Sequence, residues 1–116
     1  MLMTLGEKQQ QFVVMIAQLI LWCDREGYKL TFGEAYRTPE QAQWNAERGI
    51  GITNSLHARR LAIDLNLFIE GVYQTTTESH RPLGEKWKSM HELCRWGGDF
   101  AKPDGNHYSM EHEGVK

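Results

Sequence analysis

The chain is expected to fold as α+β, with helices packed on a small, mainly antiparallel sheet in a single domain spanning residues 1–116. Three observations predict this. Apolar residues Phe12, Ile16, Leu19, Ile20 and Cys23 recur at three- and four-residue steps, the spacing of one buried helical stripe. From Ala62 to Ile69, apolar and polar residues alternate as they do along a strand with one buried face. Glu70-Gly71 then separates that run from Val72-Tyr73-Gln74, as a tight hairpin turn would.

Taken in order, the first helix is expected over residues 5 to 26, with Gly27 as its stop. Tyr28 to Tyr36 reads as extended, carrying Leu30 and Phe32. Thr38-Pro39-Glu40-Gln41 has the form of a helix start. Thr38 suits the cap, Pro39 the first turn, and Gln41 completes a capping box. That second helix should run to Arg48 and stop at Gly49. Residues 49–55 read as a loop. In the strand from Ala62 to Ile69, Ile63, Leu65, Leu67 and Ile69 share one face, and Asp64 and Asn66 lie on the other. A polar connection over 75–81 leads to Pro82, which opens a third helix. Its apolar stripe is Leu83, Trp87, Met90 and Cys94, with Gly97-Gly98 as its end. After a loop rich in Gly, Asp and Pro, His107 to His112 can alternate as a last strand. His107, Ser109 and Glu111 would share one face.

Composition excludes several classes. The 116 residues suffice for one core, and four Trp, four Tyr and four Phe provide bulky material for it. A net charge of -2 and the lack of a basic run argue against nucleic acid as a partner. The apolar stretch from Phe12 to Cys23 is too short and too amphipathic for stable membrane insertion. The N-terminus does not read as a signal peptide, so synthesis in the cytoplasm is expected. Cys23 and Cys94 both sit in apolar patterns and read as buried free thiols. With no CxxC pair, a thiolate zinc site is not expected.

Asp64 is the anomaly. A carboxylate between Ile63 and Leu65, in a segment that otherwise favours burial, needs a cation or several donors. That cation is either a metal or an Arg or Lys. His57 lies seven residues earlier in a polar turn, and His107 lies where a loop enters a strand. Two imidazoles and one carboxylate form a common catalytic zinc set that leaves a fourth position for water. Zinc lowers the pKa of such a water and polarises a carbonyl. A carboxylate must then move the water's proton to the leaving amine. Asp104 is a candidate for that role and Glu111 the alternative. His112 rivals His107 as the third ligand, while His80 and His91 read as solvated or structural.

These residues resemble the D-alanyl-D-alanine carboxypeptidase and L-alanyl-D-glutamate endopeptidase group of zinc peptidases, which includes phage endolysins. The group's first motif reads S-x-H-x-x-G-x-A-x-D, and Ser55, His57, Ala62 and Asp64 match it at the right spacing. Its second motif is an acidic residue, two residues, then His, matched by Asp104 and His107. Trp96-Gly97-Gly98-Asp99 and Glu34-Ala35-Tyr36-Arg37-Thr38 are similar to the group as well. Arg60 departs from it by standing where the motif has glycine. That departure means a relaxed turn or a side chain directed into the cleft.

The resemblance implies that His57, Asp64 and His107 hold Zn2+ and that Asp104 is the catalytic base. It implies that Arg37 binds substrate and the developing oxyanion, and that Ser55 binds a substrate carboxylate or carbonyl. A guanidinium suits the oxyanion because it stays charged and presents a fixed fork of donors. The expected activity is hydrolysis of a peptide bond in peptidoglycan stem peptides by a monomeric L-alanyl-D-glutamate endopeptidase of the phage or prophage endolysin type. The alternatives are a D-Ala-D-Ala carboxypeptidase and a non-catalytic wall-peptide-binding module. Residues 1–116 would be the catalytic domain alone, without a separate wall-binding domain. Release to the wall or periplasm would run through a holin-type pore.

Overall fold

The computed structural model describes residues 2–51 and 54–116. Three helices, α1 (Leu5–Arg25), α2 (Pro39–Glu47) and α3 (Arg81–Met90), accompany five strands. The strands are β1 (Lys29–Phe32), β2 (Ala62–Ile69), β3 (Val72–Tyr73), β4 (Cys94–Trp96) and β5 (His107–Met110). They form one five-stranded sheet in the order β1-β2-β5-β4, with β3 also paired to β2, and every pairing is antiparallel. The expected class is therefore the observed one.

The amphipathic stripe of α1 buries Phe12, Met15, Ile16, Leu19 and Cys23. Met15 joins the expected set, whereas Ile20 is only partly buried. Thr4 caps this helix with a reciprocal Glu7 contact, and Gly27 takes the left-handed backbone (φ 86) just beyond its end. Across the core, Phe12 meets Trp87 of α3 edge to face at 5.7 Å. The Trp87 indole N–H donates to the carbonyls of Arg95 and Ser109, both at 3.0 Å, so its one polar atom is satisfied. Burying each such large side chain contributes on the order of 1.5–3 kcal/mol. Cys23 and Cys94 are free and buried, as expected, and burial pushes both thiols up to about 12.

The β2 strand has its expected bounds, and Ile63, Leu65 and Leu67 are buried while Asp64 and Asn66 are less so. Glu70 (φ 51) and Gly71 (φ 79) form a turn with positive φ at both central residues, which matches the twist of the hairpin. Of the extended segment, Lys29–Phe32 forms strand β1, and Gly33 and Glu34 continue along β2 through backbone hydrogen bonds to Asp64. Thr38 caps α2 by accepting the N–H of Gln41, but the Gln41 amide turns to Asn45 at 2.7 Å instead of closing the capping box. Residues 52 and 53 of the expected loop lie outside the described residues.

The third helix is shorter than expected. It ends at Met90, His91 is extended (φ -163, ψ 150), and Cys94–Trp96 is strand β4. Cys94 continues the helical spacing of Leu83, Trp87 and Met90. However, Cys94 and Trp96 also alternate about Arg95, and pairing with β5 buries both. The last strand ends at Met110, two residues earlier than expected, and beyond it His112 bridges to Val115 as the chain turns back. No helix among the described residues is long and apolar enough to cross a membrane.

Candidate metal centre

Three elements bring His57, Asp64 and His107 together. His57 lies in a 3-10 turn, Leu56–Arg59, whose start is capped by the Ser55 hydroxyl accepting the His57 N–H at 3.2 Å. Arg60 ends the turn in the left-handed conformation (φ 57, ψ 35), and the chain enters β2. The backbone angle that glycine would favour is thus retained and not relaxed. The Arg60 guanidinium lies 4.1 Å over the Tyr36 ring.

Asp64 is pinned on both sides. Its N–H donates to the Glu34 carbonyl at 2.9 Å, and its own carbonyl accepts from Gly33 at 2.8 Å. On the other side it is the direct cross-strand partner of His107. His107 is placed in turn by the Trp96–Asp99 segment. The buried Trp96 indole donates to the Gly105 carbonyl at 2.7 Å, and Asp104 donates its N–H to the Gly97 carbonyl at 2.9 Å. The Asp104 carbonyl then accepts the His107 N–H at 3.1 Å. Trp96 packs between Gly84 and Gly98, where a Cβ would fall 2.2 Å from its ring at either position. The Trp-Gly-Gly-Asp motif therefore supports the loop that delivers His107.

Ligand atoms of His57, Asp64 and His107 all lie within 4.8 Å of one another. Asp64 Oδ1 is 3.4 Å from His57 Nε2 and 3.6 Å from His107 Nδ1. The imidazole rings face each other edge-on at 5.3 Å, and Phe100 shields His107 at 5.4 Å. Both histidines are buried, at 4% and 8% exposure. Burial would raise the Asp64 carboxyl, but the two imidazoles outweigh it and hold it at about 2. Yet Oδ1 of Asp64, Nδ1 of His57 and Nε2 of His107 are buried without a hydrogen-bond partner. An ionised, half-buried carboxylate with its inner oxygen so placed is matched by a cation. Two imidazole nitrogens and a carboxylate oxygen are the donor types that zinc takes, so the residues present fit it.

Of the other predicted residues, Arg37 lies beside the centre. Its N–H donates to the His57 carbonyl at 3.2 Å, Nη1 donates to Ser55 Oγ at 3.4 Å, and Nη2 donates to Glu34 Oε1. Asp104 is exposed and borders a polar cleft of ≈ 250 Å³ lined also by Gln74, Thr75, Thr76, Thr77 and Asn106. The rivals are engaged elsewhere. Glu111 Oε1 accepts from Arg95 at 3.0 and 2.9 Å, and His112 Nδ1 lies 3.2 Å from Lys8 Nζ. His91 Nδ1 accepts the Leu93 N–H at 3.0 Å, and His80 is buried against the Tyr108 hydroxyl at 2.9 Å. Glu34 belongs to the 34–38 stretch that resembles the family, but the sequence assigns it no role there, and its contact with Arg37 and its approach to His57 emerge only in the structure.

No curated protein sequence matches this chain. A solved L-Ala D-Glu endopeptidase, ChiX of Serratia marcescens, shares its fold with a TM-score of 0.65 at 16% identity, over 91% of this chain and 85% of that one. A mutant of the vancomycin resistance D,D-pentapeptidase VanY, from a VanB-type resistance cassette and in complex with Zn(II), shares it with a TM-score of 0.59 at 19% identity. There the match spans 86% of this chain and 70% of the other. The model of the D-alanyl-D-alanine carboxypeptidase family matches residues 48–110, more than half of the sequence, including His57, Asp64, Asp104 and His107. This chain belongs to the D-alanyl-D-alanine carboxypeptidase family of zinc metallopeptidases.

Proposed function

We propose that this protein hydrolyses a peptide bond in peptidoglycan stem peptides, as an L-alanyl-D-glutamate endopeptidase. The observation that carries the reading is the convergence of His57, Asp64 and His107, with orphaned buried polar atoms, beside the guanidinium of Arg37. His57, Asp64 and His107 would hold zinc, which supplies Lewis-acid polarisation and a lowered pKa for bound water. Asp104 would take the proton of the attacking water at its carboxylate and return it to the departing amine. Arg37, always charged, would stabilise the oxyanion that develops on the scissile carbonyl. Ser55, next to Arg37, would bind a carbonyl or carboxylate of the substrate.

The setting proposed is lysis by a phage or prophage, with synthesis in the cytoplasm and release to the wall through a holin-type pore. The catalytic domain would act as a monomer. A net charge of -2 supports the lack of a nucleic-acid partner. The description of the matching family favours a second reading, a D-Ala-D-Ala carboxypeptidase. Digestion of intact Gram-negative-type peptidoglycan with end-group analysis tests both. New D-glutamate amino termini support the endopeptidase, and free D-alanine without them supports the carboxypeptidase.

A further inference from the structure

Glu34 touches both halves of the proposed machinery through one oxygen. Its Oε1 accepts from Arg37 Nη2 and lies 3.6 Å from His57 Nδ1. That imidazole nitrogen is the one directed away from the centre, since Nε2 is the nitrogen that faces Asp64 at 3.4 Å. Nδ1 is buried, and Glu34 is the acid beside it. The backbone of Glu34 is fixed to the same site, because its carbonyl accepts the Asp64 N–H at 2.9 Å. The carboxylate is itself only partly exposed, with 36% of the side chain accessible, and the Arg37 side chain retains 16%.

We propose that Glu34 is a positioning residue that orients His57 through Nδ1 and Arg37 through Nη2. The inference rests on the reading of His57 as a zinc ligand. A histidine that binds metal through one ring nitrogen generally donates the other N–H to a carboxylate, carbonyl or water. That contact fixes the tautomer and ring angle and makes the metal-binding nitrogen more basic. Glu34 is placed to supply it with a slight closure of the 3.6 Å gap. The same carboxylate restrains the Arg37 guanidinium, a long side chain that would otherwise sample many rotamers, beside Ser55 and His57. A single acid thereby couples metal affinity to oxyanion stabilisation. Glu34 touches neither metal nor reacting atoms in this account.

The test compares E34A, E34Q and the surface variant E47A with wild type. Zinc affinity is measured by competition with a chromogenic chelator, and kcat and KM are measured on stem peptide at saturating zinc. E34A should bind zinc roughly 10–100-fold more weakly. At saturating zinc it should lose kcat with little change in KM, because the misplaced Arg37 acts on the oxyanion. E34Q keeps an acceptor oxygen of the same reach and should fall between E34A and wild type, while E47A should match wild type. E34Q also decides the matter if E34A does not fold. Zinc affinity in E34A and E34Q within twofold of wild type overturns the proposal. Wild type that binds no zinc overturns the ligand reading beneath it as well. Wild type that binds zinc without hydrolysing stem peptide overturns only the proposed activity, and the affinity comparison still decides the role of Glu34 at His57.

Discussion

Asp64 and His107 are directly opposed on adjacent antiparallel strands, and Oδ1 of the one lies 3.6 Å from Nδ1 of the other. The β2–β5 ladder therefore fixes two of the three proposed ligands, while the 3-10 turn before β2 swings His57 to within 3.4 Å of the same oxygen. Register here carries function. A one-residue slip of either strand would send its ligand to the opposite face and separate the pair.

The carboxylate at this position should be indispensable for metal but not for the fold. Asp64→Asn keeps the volume and removes the charge, so zinc affinity should fall more than about a hundredfold. The metal-free variant should remain folded by circular dichroism. Zinc titration monitored by calorimetry checks the first statement. Wild-type affinity in the variant would remove Asp64 from the ligand set.

Arg37 is held by two partners at different angles, Glu34 and Ser55, which a single ammonium cannot reproduce. Arg37→Lys should lower kcat by about a hundredfold to a thousandfold with a modest change in KM, the signature of an interaction made in the transition state. Steady-state kinetics on stem peptide would show this. A loss confined to KM would assign Arg37 to ground-state binding.

Gly97 lies where no side chain fits. A Cβ there would stand 2.0 Å from the Asp104 carbonyl and 2.8 Å from the His107 Cβ. Gly97→Ala should cost about 1–3 kcal/mol and displace the loop that carries His107, weakening zinc binding as well. At Gly6, where nothing lies within 4 Å, the same change should stabilise α1 by up to about 1 kcal/mol. Urea unfolding of the two variants measures the contrast.

Arg60 combines a left-handed backbone with a stack on Tyr36 at 4.1 Å. Arg60→Ala loses the stack and keeps the unfavourable φ, whereas Arg60→Gly loses the stack and relieves the backbone. The glycine variant should therefore be more stable than the alanine variant by about 1 kcal/mol. Equal stabilities would mean that the turn relaxes when Arg60 is removed.

Burial holds the His80 imidazole below its ordinary value of 6.5. Between its folded and unfolded values the unfolded chain binds the extra proton. Stability is thus unaffected well above 6.5 and falls as pH drops through it, by at most about 1.4 kcal/mol per pH unit. His80→Gln, which can still bond the Tyr108 hydroxyl, should lose less stability than wild type between about pH 7.5 and about pH 5. Denaturant midpoints with chelator present compare them. Identical losses would place the titrating group elsewhere.

Much of the fold was legible because the signals were local. The α1 stripe, the alternation of β2 and the Glu70-Gly71 turn each state their structure within a few residues. Strand β4 was not, because Cys94 satisfies the helical period of Leu83, Trp87 and Met90 as well as the period-two pattern with Trp96. Only pairing with β5 decides between them. At the centre, Asp64 was legible as a charge out of place, whereas His57 and His107 stood out as proposed ligands through the resemblance of their motifs to the family. Glu34 was visible only as part of the 34–38 stretch that resembles the family, without a role, because its approach to His57 exists only once the segment 33–34 lies along β2. The rival residues Glu111 and His112 were likewise separable only in three dimensions, where Arg95 and Lys8 engage them.

The most direct test of the central claim is peptidoglycan hydrolysis by the purified protein, measured together with its metal content, before chelation, after chelation and after zinc is restored. The account predicts about one zinc per chain, hydrolysis abolished when that zinc is removed, and hydrolysis recovered when it returns. Hydrolysis that persists in metal-free protein would contradict the account, as would a folded protein that takes up no zinc.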